Sequence, residues 1–301
     1  MTAAQPGGGA AVVGPSGLDE LPLREDLRGR TPYGAPQLDV PVRLNTNESS
    51  YDVPEAVALE IVQEIAREVP HLNRYPDREF TALREDLARY LGHGLAAAQI
   101  WAGNGSNEVL QHLLQAFGGP GRVALGFTPA YSMHPVIAAG TGTRWADGQR
   151  GGRAGAFDLD ADDVAEQVRR ADPDVVFLCS PNNPTGTALT LDVVEAAYAA
   201  SPRAMVVVDE AYAEFAREGT PSALGLLPGR RRLVVTRTMS KAFTLAGARV
   251  GYLAADPAVA DALRLVRLPY HLSSLTQAAA RAALRHAPAL LRTVESIRQQ
   301  R

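Results

Sequence analysis

The stretch Thr236-Arg237-Thr238-Met239-Ser240-Lys241-Ala242-Phe243, running on to Gly247-Ala248-Arg249, sets one lysine just beyond an apolar run, Leu233-Val234-Val235. Hydroxyl side chains flank Lys241, and Arg249 follows eight residues on. A lysine fixed at a strand end beside anion-binding groups suits covalent amine chemistry on a phosphorylated cofactor. A solvated lysine on an ordinary surface loop is the other reading of the same stretch. Three more motifs bear on the choice. Gly103-Asn104-Gly105-Ser106-Asn107-Glu108 lies between a short apolar segment and a helical pattern. Such a turn offers a phosphate the unpaired N–H groups and partial positive charge of a helix start, or it is a plain N-capping turn. It is neither a P-loop nor a dinucleotide fingerprint, lacking the Gly-Lys-Ser/Thr of the first and the third glycine of the second.

Ser180-Pro181-Asn182-Asn183-Pro184-Thr185-Gly186 follows another apolar run and makes a rigid turn that aims Asn183 in a defined direction. Val208-Asp209-Glu210-Ala211-Tyr212 follows a third. A carboxylate at a buried strand end costs desolvation unless a cation or donor meets it; a helix N-cap is the alternative role for Asp209.

The elements that must position these motifs alternate along the chain. Val57, Ile61, Ile65 and Val69 recur behind Pro54 and predict an amphipathic helix that stops at Pro70. Phe80, Leu83, Leu87 and Leu91 predict a second helix, ended by Gly92. Residues 100–102 predict a strand, followed by a helix carrying Val109, Leu110, Leu113, Leu114 and Phe117. Continuous apolar runs at 123–127, 175–179, 205–208 and 233–235, with a further candidate at 250–254, predict buried, largely parallel strands separated by helices. The fold class is therefore α/β. In such sheets ligands gather at the carboxyl ends of the strands, where these polar motifs stand. Residues 274–301 predict one long helix.

Composition narrows the function. The 301 residues are 46% hydrophobic and 21% charged, with a net charge of −3, which gives no electrostatic reason to expect nucleic acid or an anionic membrane as partner. Cys179 is the only cysteine, so no intrachain disulfide forms, as suits a reducing cytoplasm. The six histidines show no metal-site spacing, and no metal is expected. No secretory signal or run of transmembrane length is expected. Residues 1–17, rich in glycine, predict a disordered tail, and 18–44, with Pro32, Pro36 and Pro41, an extended arm.

Taken together, the four motifs match the needs of pyridoxal 5'-phosphate. Lys241 would hold its aldehyde as an imine, and Asp209 would keep the pyridine nitrogen protonated so that the ring accepts electrons. Asn183 and Tyr212 would bind the ring hydroxyl, and Tyr131 would stack on the ring. The Gly105 turn with Ser106 and Asn107, joined by Thr238, Ser240 and Arg249, would hold the phosphate. Arg237 and Arg249 would favour the neutral form of Lys241.

In their order along the chain these motifs resemble the class I/II pyridoxal-phosphate aminotransferases. Within them the chain is similar to the histidinol-phosphate aminotransferase family, through Arg30-Thr31-Pro32-Tyr33, Arg43-Leu44-Asn45-Thr46-Asn47-Glu48, Leu72-Asn73-Arg74-Tyr75-Pro76-Asp77 and Leu268-Pro269-Tyr270-His271-Leu272-Ser273. Where the family often has Asn-Glu-Asn-Pro, this chain has Asn47-Glu48-Ser49-Ser50. The resemblance implies a three-layer α/β/α large domain with a mostly parallel sheet, here over residues 45–272. Residues 273–301 would be an interdomain helix and the start of a small C-terminal domain that is largely absent, and with it the arginines that bind the substrate's anionic groups. It implies a homodimer in which Tyr75 reaches the partner's cofactor phosphate, while Tyr33 and Asn183 meet substrate. The implied reaction exchanges an amino group between L-histidinol phosphate and 2-oxoglutarate, giving imidazole-acetol phosphate and glutamate, in histidine biosynthesis. An aromatic amino-acid aminotransferase, a threonine-phosphate decarboxylase and a cofactor-binding fragment with little turnover are the alternatives.

Overall fold

The computed structural model describes residues 20–152 and 155–300. The tail expected over residues 1–17 lies outside them. A boundary at Gly34/Ala35 divides the chain into two units. In the first, the residues after Glu20 are irregular apart from a 3-10 turn, Glu25–Leu27.

The second unit alternates helices and strands. α1 (Glu55–Glu68) begins behind Pro54, and α2 (Thr81–Leu91) ends at Gly92, whose φ of +70° suits glycine. β1 (Ile100–Asn104) leads into α3 (Ser106–Phe117), then β2 (Val123–Thr128), α4 (Met133–Gly140) and β3 (Arg144–Gln149). α5 (Ala161–Ala171), β4 (Val175–Cys179), α6 (Leu191–Ala200), β5 (Met205–Asp209), β6 (Leu233–Thr238) and β7 (Val250–Ala255) follow. α7 (Pro257–Val266), α8 (Ser274–Arg285) and α9 (Ala287–Gln299) close the order. No helix among the described residues is long and apolar enough to cross a membrane.

The seven strands form one sheet in the order β1-β7-β6-β5-β4-β2-β3. β7 is antiparallel to both neighbours, and every other pairing is parallel. Six strands therefore end on the edge where β7 begins. That reversal brings Arg249, just before β7, to the same edge as the ends of β1, β5 and β6. The apolar runs are the central strands, and β4 and β5 are buried at every position.

Two features depart from the sequence reading. β3, Arg-Trp-Ala-Asp-Gly-Gln, has no apolar run because it is an edge strand, largely uncovered. The single helix expected over 274–301 is two. α8 stops at Arg285, the chain bends at His286 (φ −107°, ψ 17°), and α9 restarts with Pro288 in its first turn. Proline lacks the N–H a continuing helix needs, and its ring clashes with the carbonyl four residues back. α8 buries Ala279, Ala280, Ala282 and Ala283. Arg281 pairs with Asp86 of α2, and Arg285 with Glu60 and Glu64 of α1.

Candidate active site

A cavity of about 350 Å³ opens at the strand-end edge. Ser106, Asn107, Tyr131, Asn183, Asp209, Tyr212, Thr238, Ser240, Lys241 and Arg249 all line it. These residues come from the ends of five strands and from the entry to β7, so the sheet brings together what the sequence spreads from Ser106 to Arg249. Asn183, Tyr212, Lys241 and Glu48 also line an adjoining cavity of about 840 Å³.

Strand alternation decides which charges face the cavity. Asp209 points in and is buried, whereas Glu210 points away. The Asp209 carboxylate lies 3.0 Å from His134 Nε2, and its other oxygen accepts from Thr236 Oγ1 (3.2 Å) and the Ala211 amide (3.2 Å). His134 is itself buried, stacked on Phe177 at 4.7 Å. On β6, Thr236 and Thr238 take the cavity side and Arg237 the opposite one. Arg237 donates to Glu210 (2.6 Å) and Glu214 (3.3 Å). Burial works against its charge, but the two carboxylates outweigh burial and hold its pKa above the ordinary arginine value. Arg237 is thus a structural counter-ion, and the expectation that it favours neutral Lys241 is corrected.

Lys241 Nζ donates to the carbonyls of Thr46 (2.9 Å) and Asn47 (3.1 Å). Burial holds its pKa below the ordinary lysine value; Glu48 opposes the shift and Arg249 adds to it. The amine is therefore easier to deprotonate than a surface lysine, which amine chemistry requires. Lys241 is also the only lysine in the sequence. Tyr212 Oη accepts from Asn47 Nδ2 at 3.0 Å. Burial raises the pKa of this phenol, and the Asn47 hydrogen bond partly offsets the rise.

The other end of the cavity is built for an anion. Ser106 and Asn107 open α3, whose first-turn amides lack intrahelical acceptors. Gly105 caps it at φ +85°, and a Cβ there would stand 2.4 Å from Arg249 Nη2. A Cβ on Gly251 would stand 2.0 Å from the Ser106 nitrogen. Only glycine at both positions lets β7 and Arg249 close on the helix start. Thr238 Oγ1 donates to Ser240 Oγ (3.0 Å), whose backbone amide it also accepts (3.1 Å), and Arg249 Nη1 reaches the carbonyl of Ala246 (3.0 Å). Tyr131 Oη donates to Asn107 Oδ1 (3.2 Å), joining the β2 turn to α3. A carboxylate at one end, hydroxyls, helix amides and an arginine at the other, and a lysine between them fit pyridoxal phosphate.

Tyr75 and Tyr33 are expected in the partner's cofactor site and at the substrate. Tyr75 is 79% exposed, stacked on Tyr270 at 4.4 Å, and does not line the cavity. Tyr33 belongs to the amino-terminal unit. Two residues went unread as parts of the site. His134 was visible only as the third residue after Tyr131, one turn on. Asn47 sits 165 positions from Tyr212, and no local pattern announces that contact.

Residues 40–301 match the family model of the class I and II aminotransferases. The chain belongs to this family. Among curated proteins it is 64% identical over 286 residues to the histidinol-phosphate aminotransferase of Paenarthrobacter aurescens, covering 94% of this chain and 76% of that protein. It is 61% identical over 284 residues to the enzyme of the same name from Thermobifida fusca, with the same coverage of 94% and 76%. Among solved structures, the histidinol-phosphate aminotransferase of Sinorhizobium meliloti in complex with pyridoxal-5'-phosphate superimposes with a TM-score of 0.74 at 28% identity. That match covers 84% of this chain and 66% of the other.

Proposed function

We propose that the chain transfers an amino group between L-histidinol phosphate and 2-oxoglutarate, with pyridoxal phosphate held in the cavity around Lys241. The observation that carries the chemistry is the meeting of Lys241, Asp209 and the start of α3 in one cavity. The substrate reading is supported by relatives of that name at 61–64% identity. When bound, the cofactor supplies an electron sink for the substrate's α-carbon. The protein's residues do the rest. Asp209, braced by His134 and Thr236, would hold a proton on the ring nitrogen. Asn183 and Tyr212 would bind the ring hydroxyl, Tyr131 would cover the ring, and the Gly105 turn with Ser106, Asn107, Thr238, Ser240 and Arg249 would hold the phosphate. Lys241 Nζ, whose burial favours the neutral amine, would take the α-proton of the bound amino acid and return one later in the exchange.

The working form in this reading is a cytoplasmic homodimer. Tyr75, outside its own cavity and highly exposed, supports a role in the partner's site. Tyr33 of the arm would close on substrate. The test is amino transfer from glutamate to imidazole-acetol phosphate, compared with phenylpyruvate as acceptor. Preference for imidazole-acetol phosphate supports the reading; preference for phenylpyruvate moves the chain to an aromatic aminotransferase. Carbon dioxide release from threonine phosphate would assign a decarboxylase instead.

A further inference from the structure

The segment 46–48 belongs to a resemblance-bearing motif that the chemistry above leaves without a role. It touches two residues of that chemistry, Lys241 and Tyr212. The carbonyls of Thr46 and Asn47 accept from Lys241 Nζ, and the Asn47 side chain donates to Tyr212 Oη. Glu48 lines both cavities. Asn47 adopts φ +52°, the left-handed region that asparagine tolerates better than most residues. Its backbone is thereby turned so that its carbonyl meets Lys241 while its amide meets Tyr212.

We infer that Asn47 is a positioning residue that sets the direction of the Tyr212 hydrogen bond. A phenol carries one proton and can also accept. The amide N–H of Asn47 occupies an acceptor site on Tyr212 Oη, so the phenol's own proton is left for an acceptor inside the cavity. With the opposite polarity at this contact, Tyr212 would spend its proton on residue 47 and face the cavity only as an acceptor. The inference rests on the reading of the cavity as a pyridoxal-phosphate site, because the acceptor it serves is the ring oxygen of that cofactor.

Asn47→Gly keeps the left-handed backbone and both carbonyls that hold Lys241, and it removes only the amide. Asn47→Asp keeps the shape but replaces the donor by an acceptor, imposing the opposite polarity. Each is made alone and with Tyr212→Phe, and all are titrated with pyridoxal phosphate. The readouts are cofactor affinity and the pH midpoint of the bound cofactor's visible band. Glu48, Asp209 and Arg249 line the same cavity and stay in place in every variant. Asn47→Gly is expected to weaken cofactor binding several-fold and to raise the midpoint. Asn47→Asp is expected to weaken binding by about tenfold, the scale of one charge-assisted hydrogen bond. In the Tyr212→Phe background Asn47→Gly is expected to change neither quantity further. Unchanged affinity and midpoint in Asn47→Gly overturn the inference, as does an equal change with and without the Tyr212 hydroxyl. A parent chain that takes up no pyridoxal phosphate overturns the cofactor reading and this inference with it. That result is distinct from a parent that loads normally while the Asn47 variants match it.

Discussion

Replacing Arg237 by methionine tests whether the ends of β5 and β6 are tied by a buried ion pair behind the cavity. The Arg237 side chain is 12% exposed, and those of Glu210 and Glu214 are 4% and 8%. Glu210 is the principal counter-ion, at 2.6 Å, and it keeps Ser222 Oγ and the Ala223 amide as donors when the cation goes. Glu214 is the lesser one, at 3.3 Å, and keeps Tyr90 Oη and its own backbone amide as donors. Breaking a buried pair from one side costs about 3–5 kcal/mol, and the retained donors place this case near the lower end. At about 2–4 °C per kcal/mol for a domain of this size, Tm falls by about 10 °C. The loss depends on pH. Burial already raises the pKa of Glu214 above its ordinary 4.5, with Arg237 opposing the rise. A carboxyl whose folded pKa is raised favours the fold below its unfolded pKa, and that stability drains as pH rises through the folded pKa. Without Arg237 the drain deepens, so the gap between variant and parent opens above the ordinary value of 4.5 and widens toward neutral pH. Thermal unfolding followed by circular dichroism, at acid and neutral pH, reads both effects. A Tm within about 2 °C of the parent at neutral pH would refute the reasoning, because it would mean that the two carboxylates lose nothing with their cation.

The anion end and the carboxylate end of the cavity can be probed separately. In Gly251→Ala the new methyl meets the Ser106 nitrogen at 2.0 Å and the Gly105 carbonyl carbon at 2.3 Å, both backbone atoms. No side-chain rotation relieves this, so β7 and the start of α3 must part, at a cost of about 1–3 kcal/mol. Cofactor titration and thermal unfolding should both register the change, and parent-like values in both would remove the cradle from the account. Asp209→Ala removes the carboxylate that His134 and Thr236 brace, and cofactor affinity should fall by about tenfold or more, the scale of a hydrogen bond to a charged group. Equal affinity in that variant would count against the ring-nitrogen role.

Much of this arrangement is legible from the chain alone, for a physical reason. Parallel strands covered on both faces must be apolar throughout, so the runs ending at Cys179, Val208 and Val235 stand out, and polar residues just past them must lie at the sheet's edge. Asp209, Asn183 and Lys241 are read this way. β3 is hidden because an edge strand has no need of an apolar run. The facing of Arg237 follows from alternation once Thr236 and Thr238 are assigned to the cavity, yet its nearness to Lys241 in sequence points the wrong way. Asn47 and His134 could not be placed from spacing, since their contacts with Tyr212 and Asp209 join segments 165 and 75 positions apart. The bend at His286 had a local sign in Pro288, masked by the helix-forming alanines before it.

The central claim is that Lys241 is the amine that holds the cofactor, and its being the only lysine makes the test unusually direct. The chain is loaded with pyridoxal phosphate, reduced with borohydride, digested and mapped by mass spectrometry. The expected result is one label per chain, on the peptide that carries Lys241, and none in Lys241→Ala. No stable label, or a label confined to the amino terminus at Met1, would contradict the account.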